Sequence, residues 1–149
     1  MAVIVVDDHL LRDVLVGGRP LDLDGLAGDG LATTGRWLFR LCSSFADPTV
    51  ARKLSAPVAG LPEELQAAFR AALTSLRPEI DVVPMPELAW LMAELQTRHR
   101  SEGRPLSAAM VEALAAAQRL DAGIAVSRRD VGPNLRAAAA SEHVAFHIL

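Results

Sequence analysis

Hydrophobic positions along the chain follow two rhythms: short unbroken runs, and recurrences every three or four residues. Residues 2–6, Ala-Val-Ile-Val-Val, are continuously apolar and mostly β-branched. That is the pattern of a strand inside a parallel sheet covered on both faces, and Asp7 ends it. Leu10, Leu11, Val14 and Leu15 then share one helical face, which stops at Gly17-Gly18. Residues 17–30 hold five glycines, one proline and three aspartates, and read as a loop. From Leu31 the spacing turns helical, with Trp37, Leu38, Leu41 and Phe45 three and four apart, until Pro48, Pro57 and Gly60 break up the next stretch.

The second half is more regular. Leu65, Ala68, Phe69, Ala72, Leu73 and Leu76 form one stripe and predict a helix over 62–76, with Pro62 suited to its first turn. Residues 80–83 read as a short strand. Pro86 opens a helix with Leu88, Leu91, Met92 and Leu95 inward. Gly103 and Pro105 separate it from an alanine-rich helix over 107–121. A strand over 123–127, a short helix after Pro133 and a last strand over 143–149 complete the pattern. Strands alternating with helices predict a parallel sheet with right-handed crossovers. The expected fold is therefore a three-layer α/β/α sandwich on four or five parallel strands, a single domain over 1–149.

Composition narrows the classes. Of 149 residues 51% are hydrophobic, which excludes a disordered chain and allows one substantial core. No apolar run approaches the roughly 18 residues of a membrane span, and no basic segment leads a long apolar one, so neither membrane nor signal peptide is expected. A lone cysteine, Cys42, leaves no internal disulfide and fits a reducing cytoplasm. The net charge of −3 does not mark a general nucleic-acid binder, although a local basic rim remains compatible with it.

Two family resemblances compete. VIVVDDHLLRDVL is similar to the start of bacterial receiver domains, whose paired acids hold Mg²⁺. A receiver also needs a phosphoacceptor Asp ending a later strand and a lysine after its fifth strand. Here the middle segment TVARKLSAPVAGLPEEL has neither strand nor Asp, and the only lysine, Lys53, lies there. That resemblance fails. The order VIVVD, then DVVPMPELAWLMAELQ, then RPLSAAMVEALAAAQRLDAGIAVSRRD, then EHVAFHIL resembles PIN-domain ribonucleases along the whole chain.

The PIN resemblance implies carboxylates at the C-terminal end of the sheet holding Mg or Mn, hard cations suited to oxygen ligands. Such a metal activates water and offsets charge on a scissile phosphate. Carried over, the first acid is Asp7, at the strand end where open α/β sheets place ligands; its other reading is a cap on the next helix. The second acid falls on Arg40, a reversal of charge. The third falls on Glu112, a metal ligand by resemblance or a solvent-facing residue by its own helix face. The fourth falls on Arg129, with Asp130 one place later either serving instead or capping the turn before Pro133. Arg40 or Arg129 is thus expected to pair with Asp7 or Glu112 in place of a metal.

Arg36, Arg40, Arg128 and Arg129 form a phosphate- or RNA-binding patch if they rim one cleft, and are scattered surface arginines otherwise. Asp8 and His9 read as a helix start, His143 and His147 as one face of the last strand, and Cys42, Trp37 and Trp90 as core. The resemblance leaves two functions. One is a Mg- or Mn-dependent endoribonuclease like the VapC-type toxins, using Asp7, Glu112 and Asp130, with Asp7 and Glu112 on the metal. The other is a catalytically lapsed PIN-like protein that binds RNA or a protein. A homodimer and a cognate antitoxin are further implications of the resemblance.

Overall fold

The computed structural model describes residues 3–17, 21–28, 30–47 and 52–149. Ala2, Gly18, Pro20, Asp29 and Pro48, which carry part of the pattern above, lie outside the described residues. The chain runs β1 (Val3–Val6), α1 (Asp8–Gly17), α2 (Leu21–Ala27), β2 (Gly30–Thr34), α3 (Gly35–Ala46), α4 (Arg52–Ala59), α5 (Glu63–Thr74), β3 (Ile80–Val83), α6 (Met85–Ser101), α7 (Ala108–Leu120), β4 (Gly123–Val126), α8 (Leu135–Ser141) and β5 (Phe146–Ile148).

All strand pairs are parallel and the order is β3-β2-β1-β4-β5, so β1 sits in the centre. Alternation along each strand feeds two apolar clusters. Ile4, Val6, Leu31, Ile80 and Ala125 face α1 to α5, through residues such as Leu11, Leu23, Leu41 and Phe69. Val5, Ala32, Val83, Ile124 and Val126 face α6, α7 and α8, through Leu88, Leu95, Leu114 and Leu135. Each of these fully buried leucines contributes about 1.5–3 kcal/mol. This is the expected three-layer α/β/α sandwich, with five strands.

Several expectations are corrected. The segment read as a loop over 17–30 contains α2, and 30–34 is strand β2, not the start of a helix. Leu31 and Ala32 are buried on opposite faces of the sheet, a two-residue rhythm, and helix α3 begins only after Thr34, whose side chain caps it by accepting from Trp37 N at 3.2 Å. Pro57 lies inside α4. On α5 the stripe turns out of register at its start: Phe69 is buried, but Leu65 is 52% exposed. Trp37 is core, whereas Trp90 is 79% exposed on the outer face of α6. His143 lies before β5, in a left-handed conformation (φ 57°), so it shares no strand face with His147.

Candidate functional site

The C-terminal ends of β1, β2 and β4 open onto one rim, and each delivers charged side chains to it. Asp7 follows β1. Its Oδ1 accepts from Leu10 N at 2.9 Å, and its backbone carbonyl accepts from Leu11 N, so Asp7 is the N-cap of α1. Its Oδ2 accepts from Ser127 N, beyond β4, at 2.8 Å. The side chain is buried, and desolvation pushes its pKa up to about 7. The two backbone donors oppose that rise, while the charges of Asp8 and Asp130 add to it.

Asp8 has a different task from the one its position suggests. It is fully buried, and only its Oδ1 has a hydrogen bond, from His9 N. Its Oδ2 lies 3.2 Å from Arg40 Nε, an ion pair without hydrogen-bonding direction, so that oxygen is buried with no hydrogen bond. Burial raises the Asp8 pKa against the pull of Arg40 and His9. The neighbouring His9 is shifted down, chiefly by burial, despite Asp8.

Arg40 comes from the second turn of α3. Its Nη2 donates to Asp130 Oδ2 at 2.9 Å, bridging a buried carboxylate and an exposed one. Burial works against its charge, but Asp8, Asp130 and Asp7 more than offset this and hold its pKa above the ordinary value. Asp7, Trp37, Arg40, Met110, Asp130 and Leu135 line a small cavity of about 50 Å³.

Glu112, on α7, is buried and not solvent-facing. Its Oε2 accepts from Arg36 N at 3.2 Å and lies 3.8 Å from Arg36 Nε, so it serves the first turn of α3. Its Oε1 has no hydrogen bond. Arg128 and Arg129 are exposed on the loop that carries Asp130, and their side chains make no ion pair among the described residues.

Position by position, the rim unites Asp7, Arg40 and Asp130, and brings Arg36 to Glu112. The expected partners of the arginines are corrected. Arg40 holds Asp8 and Asp130, not Asp7 or Glu112, and Glu112 is held by Arg36. Arg129 donates its backbone N–H to Ser127 Oγ, and its side chain makes no ion pair among the described residues. Asp8 was the residue that sequence reasoning set aside. The available signal was the pair Asp7-Asp8 itself, because one helix start needs only one capping carboxylate. Cys42 is partly exposed instead of core, and burial raises its thiol pKa, so it is no activated nucleophile.

A Mg or Mn centre does not fit these residues as they stand. Both oxygens of Asp7 accept backbone N–H groups, and a guanidinium stands between Asp8 and Asp130. Among the described residues, the one group of three ligand types with atoms within 4.8 Å of each other is Asp8, His9 and Asp130, which includes an imidazole and neither Asp7 nor Glu112.

The fold has solved counterparts. The chain superposes on a structure of FitAB bound to an IR36 DNA fragment with a TM-score of 0.55 and 18% identity, over 97% of this chain and 94% of that one. It superposes on FitAcB from Neisseria gonorrhoeae with a TM-score of 0.54 and 18% identity, over 97% and 96%. Both are PIN-domain structures. The chain has the PIN fold. At this identity the likeness carries the fold and nothing finer. No protein-family model matches the chain, and no curated protein does. Among the described residues of this PIN fold, no helix is long and apolar enough to cross a membrane.

Proposed function

We propose that this is a PIN-like domain of the toxin–antitoxin type that binds RNA at the rim of its sheet without metal-dependent hydrolysis. The observation that carries this reading is the Arg40 guanidinium bridging Asp8 and Asp130 beside Asp7. A fixed cation on the protein itself takes up the negative charge that a metal would otherwise balance. Arg128 and Arg129, exposed and without an ion pair among the described residues, lie on the loop that carries Asp130 and add phosphate-contacting charge to a chain that is acidic overall. The likeness to FitAB supports an antitoxin-type protein partner in this reading, to which the proposal adds a homodimer and a cytoplasmic setting.

The test is incubation of the purified protein with labelled single-stranded RNA and Mn²⁺. Binding without cleavage is expected, and Arg40→Glu, which installs the acid that the PIN resemblance implies, should introduce Mn²⁺-dependent cleavage. Wild-type cleavage that needs Mn²⁺ and disappears in Asp7→Asn would overturn the proposal. A second reading, the metal-dependent endoribonuclease using Asp7, Glu112 and Asp130, is favoured by one observation: Glu112 Oε1 is buried without any hydrogen bond, an arrangement that costs about 1–3 kcal/mol unless something engages it.

A further inference from the structure

The two carboxylates on Arg40 differ in a way that matters for ligands. Asp8 is 1% exposed and lies 3.2 Å from Arg40 Nε, while Asp130 is 46% exposed and accepts from Arg40 Nη2 at 2.9 Å. The inner contact is a charge contact without hydrogen-bonding direction, and it anchors the guanidinium at the rim. The outer contact is an exposed ion pair, worth about 0–1 kcal/mol and easily exchanged. Asp130 sits on the loop between β4 and α8, its backbone N–H bonded to Ser127 O, with Arg128 and Arg129 directly before it.

We infer that Asp130 is an internal stand-in for a phosphate group: it occupies the outward edge of Arg40 in the free protein, and a phosphodiester of bound single-stranded RNA displaces it. This rests on the proposed RNA-binding function and specifies how that site is regulated. A guanidinium anchored by a buried carboxylate charge turns an N–H donor, Nη2, toward an exposed oxyanion, and a guanidinium suits phosphate as well as carboxylate. Displacement leaves Asp130 solvated, and the arginines beside it can then meet the same backbone. The consequence is a threshold: ligands lacking a phosphate at this position must bind against an occupied arginine.

The experiment compares binding of a fluorescent single-stranded oligoribonucleotide to wild type, Asp130→Asn, Arg40→Gln, the double variant, and Asp121→Asn. Asp121 is the exposed left-handed residue ending α7, and its substitution removes the same charge elsewhere. Asp130→Asn should bind roughly fivefold more tightly, the scale of one exposed ion pair, and Asp121→Asn should not. The gain should vanish when Arg40 is already Gln. If wild type binds but Asp130→Asn is no tighter, or its gain survives in Arg40→Gln or is matched by Asp121→Asn, the stand-in role is wrong while RNA binding stands. If no variant binds RNA, the function itself falls, and the inference with it.

Discussion

Two clusters of buried polar and charged side chains among the described residues are treated in opposite ways. On the α6–α7–α8 side, Glu142 accepts from Arg98 at 2.5 Å, from His99 Nε2 at 2.9 Å and from Gln118 at 3.1 Å. Arg104 Nε donates to His99 Nδ1 at 3.3 Å, so the buried imidazole is satisfied at both nitrogens. Glu142 consequently stays below the ordinary carboxylate pKa: Arg98, Gln118 and His99 outweigh its desolvation. At the rim the balance is reversed. Desolvation dominates Asp7 and Asp8, and Asp8 Oδ2 and Glu112 Oε1 lack hydrogen bonds. A closed network is what stability requires. Buried carboxylates that lack a hydrogen bond, as Asp8 and Glu112 do, or that desolvation raises in pKa, as it does Asp7 and Asp8, fit the proposed reading of a site kept for a ligand.

That contrast can be broken from its strong side first. Glu142→Ala should cost about 3 kcal/mol, because it leaves His99 and Gln118 without their shared acceptor. Denaturant titration measures it, and a loss below about 1 kcal/mol would mean that the network is ornamental.

The rim should show the opposite sign with pH. A carboxylate whose folded pKa is raised stabilises the fold below its unfolded value, and that contribution is lost as pH rises through the folded value. With Asp7 near 7, the wild type should lose roughly 2–3 kcal/mol between pH 5 and pH 8 relative to Asp7→Asn. Parallel profiles for the two proteins would contradict the burial argument.

Arg40→Gln should cost about 1–2 kcal/mol at pH 8, because buried Asp8 loses its counter-charge, and less at pH 5, where Asp8 takes up a proton more readily. A cost unchanged by pH would detach Arg40 from Asp8. Smallest of all, Asp130→Asn should move stability by no more than about 1 kcal/mol, since both partners are about half exposed. Thermal melts suffice to check it.

Much of this architecture is legible in the sequence, and the failures have physical reasons. The runs at β1, β3 and β4 and the stripe of α7 announce themselves, because strands covered on both faces must be apolar and Ser107 caps its helix. Strand β2 escaped because Gly-Leu-Ala-Thr-Thr follows a glycine-rich stretch and lacks a branched apolar run. Trp90 escaped because a helical stripe shows which residues share a face, not whether that face is covered. At the site, Asp7 is readable as the acid ending the central strand. The Arg40–Asp130 contact is not, since it joins residues 90 apart in the chain. The division of labour between Asp7 and Asp8 depends on where α1 starts, and a shift of one residue exchanges their roles.

The central claim, that arginine holds this acid rim in place of metal, is tested most directly by calorimetric titration of the wild type and Arg40→Glu with Mn²⁺ at neutral pH. The wild type should bind more weakly than about 1 mM, with Arg40→Glu gaining at least tenfold. Micromolar Mn²⁺ binding by the wild type, weakened when glutamate replaces Arg40, would contradict it.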